Sequence, residues 1–172
     1  MIELLLKRRS IRKYSDRVIE PEKTGLLLKA ALLSPSAKNL HSAEFIVVEN
    51  KGVLKLLSQA KPNGGTFLEE AALGIVIIGD TEKTEVWIED ASIAAMNIQM
   101  EAESIGLGSC WIHIRNRKHD DGSPASDFIK KQLGIPSNYE VEAIISIGYK
   151  AEASKNHSLS DLDKSRIHHN KF

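Results

Sequence analysis

The chain contains a single cysteine, Cys110. No internal disulfide is possible, and no Cys/His group has zinc-finger spacing. One cysteine fits a reducing compartment, and a cytoplasmic location is the expectation. Net charge is missing as well, because 23 Lys and Arg balance 23 Asp and Glu. A neutral chain lacks the broad basic field of a nucleic-acid binder, although a local basic site stays open. Apolar runs reach only about eight residues, against the roughly 18–20 that a bilayer helix needs, so no membrane partner is expected. The stretch Met1–Lys7 carries Glu3 where a secretory signal needs positive charge, and it has no cleavage site. Repeats and low-complexity tracts are absent too. The 172 residues are 42% hydrophobic and 27% charged. That composition suits one globular domain over 1–172 that buries its core without metals or cross-links.

Periodicity predicts a short helix over 1–9, irregular or extended backbone from Arg8 to Tyr14, and a helix from Pro21 to Leu33. Phe45-Ile46-Val47-Val48 reads as a strand within 44–49, followed by a helix over 51–60 and a short one over 67–72. Residues 73–79 form an apolar run typical of a strand buried on both faces. The longest helical pattern covers 84–105 and ends at Gly106, a residue suited to a C-terminal cap. Strands over 109–114 and 141–149 flank a helix over 126–133. A sheet of four or five strands with helices on both faces follows. The polar tail from Lys150 to Phe172 has too few apolar anchors to join the core; it is disordered or it wraps a partner.

Three stretches carry potential chemistry. Arg8-Arg9-Ser10-Ile11-Arg12-Lys13 gathers cations and a hydroxyl in six residues. In extended backbone Arg8, Ser10 and Arg12 share one side, suited to phosphate, and the alternative is a solvated basic turn. Ser34-Pro35-Ser36-Ala37-Lys38-Asn39-Leu40-His41 is either a helix-terminating loop or a close-approach loop in which Asn39 reads a polar ring edge. Gly106-Leu107-Gly108-Ser109-Cys110-Trp111 is a helix cap with a turn, or a point where backbone approaches a ligand. It is not a dinucleotide fingerprint, which runs strand, glycines, helix. Cys110 suits a core strand better than a nucleophile, and Asp120-Asp121-Gly122 lacks the later ligands of a calcium loop. Phosphate-loop, zinc-protease and serine-hydrolase motifs do not occur.

Taken in order, these stretches resemble the FMN-dependent nitroreductase family over essentially the whole chain. The matching features are Arg8-Arg9-Ser10-Ile11-Arg12-Lys13-Tyr14, Ser34-Pro35-Ser36-Ala37-Lys38-Asn39 and Gly106-Leu107-Gly108-Ser109-Cys110-Trp111-Ile112. Leu133-Gly134-Ile135-Pro136, Ile147-Gly148-Tyr149 and the closing Arg166-Ile167-His168-His169-Asn170-Lys171-Phe172 support them. One departure stands out. Where many members continue after the Asn with x-Gln-Pro-Trp, this chain has Leu40-His41-Ser42-Ala43.

The resemblance implies a nitroreductase-like α+β homodimer with a central mixed sheet, FMN at the subunit interface, and residues 150–172 embracing the partner. Arg8, Ser10 and Arg12, helped by Arg9, would hold the phosphate, ribityl and pyrimidine side of FMN. Ala37 and Asn39 would approach the ring from the partner subunit. Leu107, Gly108 and Ser109 would line its other side, and His41 would face the substrate. The implied activity is ping-pong electron transfer from NADH or NADPH to a nitroaromatic, a quinone or a similar small acceptor. No side chain is required as a nucleophile. Alternatives are a flavin store or sensor without turnover, and a dehalogenating or flavin-degrading relative. Arg115 and Arg117 either join the phosphate site or lie on the surface.

Overall fold

The computed structural model describes residues 1–172. Its helices are α1 (Ile2–Lys7), α2 (Pro21–Leu32), α3 (Lys51–Leu57), α4 (Trp87–Ser104) and α5 (Ala125–Leu133). The strands are β1 (Ala43–Val48), β2 (Leu73–Asp80), β3 (Gly108–His113) and β4 (Tyr139–Gly148). Pro21 opens α2, where its missing N–H costs nothing. The Asn50 side chain accepts the Val53 N–H at 3.1 Å and caps α3, which ends at Leu57, sooner than the pattern suggests. Residues 66–70 form a 3₁₀ turn in place of the expected short helix. At the end of α4 Gly106 takes φ +79°. The Leu107 N–H reaches back to the Ala102 carbonyl at 2.8 Å, and the Gly106 N–H to that of Glu103 at 3.2 Å. That is a Schellman closure, so the first glycine of the 106–108 stretch serves the helix end.

The sheet has the order β1-β2-β4-β3, and every neighbouring pair is antiparallel. The expected mixed sheet is therefore antiparallel throughout its ladders. The crossover through α4 does leave β2 and β3 running the same way, but β4 is inserted between them. Parallel pairing is confined to one bridge, Ser10 to Ser109, at the β3 edge.

Alternation along the strands divides the core in two. Ile75, Ile77, Ile145 and Ile147 face α2 and α4, where Leu27, Ala31, Ala91, Ala95, Ile98 and Ala102 are buried. Val76, Ile78, Ile112 and Ile144 face α3 and α5 together with Leu54, Leu57 and Ile129. All eight residues of β2 are buried, as its apolar run predicts. Each fully buried Leu or Ile contributes roughly 1.5–3 kcal/mol. The tail behaves differently. From 151 to 172 every residue except Ser154 is exposed, and Leu159, Leu162, Ile167 and Phe172 find no cover. A few contacts tether its start, among them the Ala151 N–H to the Lys13 carbonyl at 3.1 Å and the His157 N–H to that of Leu6 at 2.8 Å.

Candidate functional site

The segment after α1 crosses the end of the sheet rather than extending it. It meets β3 where the Ile11 N–H donates to the Ser109 carbonyl at 3.0 Å, and it leaves beside Lys150, which pairs with Tyr14. Two glycines make the crossing possible. Gly108 and Gly148 are partners across the β3–β4 ladder. A Cβ on Gly108 would lie 2.9 Å from the Ile11 side chain, and one on Gly148 would lie 2.7 Å from the Tyr14 ring. Ile11 and Tyr14 thus plug two adjacent notches and are 6% and 7% exposed. The Tyr14 hydroxyl donates to the Ile11 carbonyl at 2.6 Å and sits 2.8 Å from Ser146 Oγ. Burial pushes its phenol pKa up. The next turn is fastened to Tyr149, whose ring lies under Arg17 at 3.9 Å and whose hydroxyl bonds Glu20 at 2.5 Å. That bond, with help from Arg17, holds the Glu20 carboxyl at about 2.

With Ile11 and Tyr14 turned inward, the residues between them are left at the surface. Arg8, Ser10, Arg12 and Lys61 all influence the Cys110 thiol, Ser10 by a hydrogen bond and the others through their charge. Burial nevertheless dominates and raises the thiol pKa, which suits a core cysteine rather than a nucleophile. Arg12 lies over the Phe67 ring at 5.7 Å. It forms no ion pair with Asp16 or any other carboxylate, and Arg8 and Lys61 form none either. Arg9 donates to His157 Nδ1 at 3.2 Å, which brings the start of the tail to this cluster. Other cations are paired with carboxylates, as in Lys150–Glu103 and Lys130–Glu140, both at 2.8 Å.

The second stretch lies on the other face of the sheet. Ala37–Asn39 forms a 3₁₀ turn between α2 and β1, with Lys38, Asn39 and His41 at φ +50°, +58° and +48°. Non-glycine residues in that region are strained, so something must hold them. Asp90, in the first turn of α4 and 4% exposed, accepts the Ala37 N–H at 2.9 Å and the Ser42 hydroxyl at 2.7 Å. One carboxylate therefore clamps both ends of the turn. Ser36 Oγ adds a bond from the His41 N–H at 3.0 Å. Asn39 and His41 are left exposed.

The predicted residues therefore fall into two groups. Arg8, Arg9, Ser10, Arg12 and Ser109 come together at the β3 edge. Ala37, Asn39 and His41 sit with α2 and α4 on the opposite face. The Leu107 side chain is fully buried in the α2/α4 core, and Gly108 is covered by Ile11, so both serve packing within the protomer. Sequence reasoning missed Lys61, Phe67, His157 and Asp90. For Asp90 a signal existed: with Trp87, Ala91, Ala94 and Ala95 it falls on the buried stripe of α4, where a charge needs partners.

The donor set has a recognisable chemistry. Unpaired guanidinium and ammonium groups around one hydroxyl, beside an aromatic ring, fit a ligand with one phosphate and a polar, flat ring system. Comparison with known proteins agrees with that class. The model of the Nitroreductase family matches residues 5–63 and 53–149, and the chain belongs to that family. A solved structure described as an FMN-dependent nitroreductase from Clostridium difficile R20291 is 55% identical, with a TM-score of 0.98 over 100% of both chains. An Archaeoglobus fulgidus protein provisionally named NADH dehydrogenase/NAD(P)H nitroreductase is 34% identical over 99% of this chain and 98% of its own. The FMN reductase (NADPH) of Bacillus subtilis is 32% identical over 67% of this chain and 55% of its own.

Proposed function

We propose that this chain is an FMN-dependent oxidoreductase that acts as a homodimer and passes electrons from NADH or NADPH to a nitroaromatic, a quinone or a similar small acceptor. FMN, when bound, supplies the chemistry by taking hydride from the donor and giving electrons to the acceptor in turn. The protein binds and orients it. Arg8 and Ser10 suit the phosphate and ribityl chain, with Arg9 alongside. Arg12 suits the pyrimidine edge, where a fixed positive charge favours added electrons. Ser109 and the backbone of Leu107 and Gly108 border the same edge of the sheet. Ala37 and Asn39 would come from the second subunit, with His41 toward the substrate.

One observation carries this reading. The cationic cluster and the Asn39 turn occupy opposite faces of one protomer's sheet, and each is incomplete. A second copy bringing its turn to the first copy's cations resolves this. Apolar surface is available for such an interface, because Ile2, Leu32, Leu33 and Ile93 are 62%, 70%, 83% and 42% exposed. The tail, with its four uncovered apolar side chains, would wrap the partner. No helix is long and apolar enough to cross a membrane. A location in the cytoplasm agrees with the single buried thiol.

The purified protein is expected to carry FMN, identified by mass after extraction, and to bleach under anaerobic NADH or NADPH. FAD, or no flavin after FMN is added, rejects the reading. FMN without bleaching identifies a flavin store instead.

A further inference from the structure

Strand β4 carries one buried charged side chain, Glu142, that the site described above does not use. We propose that this carboxylate positions His113 as a proton-holding residue of the flavin site, where His113 takes up a proton as the flavin is reduced and delivers it to the acceptor; this rests on the electron-transfer reading above.

Glu142 is placed by a bulge. Ile77 pairs with Ala143 and Ile78 with Val141, so Glu142 is the extra residue of β4. Such a residue can turn its side chain out of the ladder's alternation. Its carbonyl accepts the N–H groups of Ile114 and Arg115, both at 3.1 Å, which fixes the chain leaving β3. The carboxylate itself is divided. Oε2 accepts from Arg115 Nε at 2.7 Å, whereas Oε1 accepts no hydrogen bond and lies 3.9 Å from His113 Nδ1. A poorly solvated carboxylate oxygen without a donor is costly, and a protonated imidazole beside it supplies one.

His113 is the last residue of β3 and stacks on Trp111, with ring centroids 6.2 Å apart. Its side chain is 28% exposed and, with Lys61 and Asn63, it lines the cleft that continues the cationic cluster along the β3 edge. Ser109, in that cluster, and His113 are four residues apart on one strand, about 13 Å, so an extended ligand along this edge meets both. Burial, then the charges of Arg117, Arg115 and Lys61, hold the imidazole pKa below its ordinary value, against the backbone of Arg115. Lys118 lines the same cleft, and Glu142 is the carboxylate within reach, with Glu89 of α4 behind it. The imidazole is therefore neutral at pH 7. A negative charge added to the cleft offsets the cations and draws a proton on. Two electrons and one proton, delivered as hydride from the dihydronicotinamide, leave the flavin one charge more negative. His113 then forms an N–H bond to a solvent proton. When hydride passes on to one end of a quinone-type acceptor, that N–H bond breaks and its proton goes to the oxygen left negative. Reduced donor, one proton and quinone thus give oxidised donor and hydroquinone, in balance.

The midpoint potential of bound FMN, followed against pH without turnover, counts the protons taken up per two electrons. Between the pKa values of His113 in the oxidised and the reduced protein, the parent should take up one proton more than His113→Gln. Titration of the imidazole by NMR, with His113 recognised by its loss in His113→Gln, gives those two values directly. The pKa should rise by at least one pH unit on reduction with dithionite, and Glu142→Gln should lower it in both states. Equal proton counts in parent and His113→Gln, or an imidazole that titrates alike in oxidised and reduced protein, overturn the proposal. An imidazole pKa that Glu142→Gln leaves unchanged overturns the positioning role. If Glu142→Gln does not fold, His113→Gln and the imidazole titration decide alone. A protein that takes up no FMN, or whose FMN neither NADH nor NADPH reduces, rejects the electron-transfer reading and this role with it. Equal proton counts in a protein that those donors do reduce reject the role of His113 alone.

Discussion

The crossing segment 8–14 and the turn 37–41 carry the two halves of the candidate site, and they are held in opposite ways. The first is held by shape: Ile11 and Tyr14 fill notches left by Gly108 and Gly148. The second is held by charge: Asp90 accepts two hydrogen bonds that close a turn with three non-glycine residues at positive φ. Apolar plugs tolerate changes of pH and salt but not of volume. A buried carboxylate tolerates small changes of volume but not the loss of its charge-assisted bonds. Each half of the site should therefore fail in its own way.

The largest effect is expected from Gly148→Ala. The added methyl meets the Tyr14 ring at 2.7 Å, so the crossing must lift or the ring must leave its notch. Overpacking of this kind costs about 1–3 kcal/mol, read as a lower denaturant midpoint with unchanged slope. FMN affinity should fall with it, because Arg8 to Arg12 ride on the crossing. Unchanged stability would show that the plug is not under constraint. Asp90→Ala comes next. It strands the Ala37 N–H and the Ser42 hydroxyl at a cost of about 1–3 kcal/mol. Faster hydrogen exchange confined to 36–42 should accompany weaker FMN binding, while 8–14 stays protected.

Arg12→Gln should leave the fold intact and shift the midpoint potential of bound FMN negative. A lost charge-assisted contact is worth about 1.5–3 kcal/mol, and 1.4 kcal/mol is about 30 mV for two electrons, so tens of millivolts are expected. Arg8→Gln should instead weaken FMN binding with little change in potential, since the charge of the phosphate is the same in both redox states. Equal behaviour of the two variants would remove the distinction. The smallest effect concerns Glu20, which fastens the far end of the crossing. Its folded pKa is depressed to about 2, so its contribution is present above the ordinary carboxylate range and fades as pH falls toward 2. Glu20→Gln should lower stability slightly at neutral pH and not at pH 2.

Much of this was legible in the sequence because the signals are local. Pro21 opens α2 where expected, the 73–79 run is a fully buried strand, and the cations of 8–12 are contiguous in sequence and in space. The tail lies outside the core, as its composition implies. What escaped depends on partners far along the chain. That Gly108 also leaves a notch for Ile11, opposite Gly148, shows only in the ladder. The antiparallel sheet follows from β4 entering between β2 and β3, which no local pattern encodes. Asp90 looks like an ordinary first-turn acid until Ala37 and Ser42 arrive 53 and 48 residues away in sequence.

The central claim is that neither protomer alone holds a complete flavin site. Sedimentation equilibrium at low protein concentration, with and without FMN, tests it most directly. If the site is shared, FMN binds only the dimer and tightens it, by about 2.7 kcal/mol at a hundredfold excess over its Kd. The dimer dissociation constant should therefore fall steeply as FMN is added. A monomer that binds FMN with the affinity of the dimer, and a dimer constant indifferent to FMN, would contradict the account.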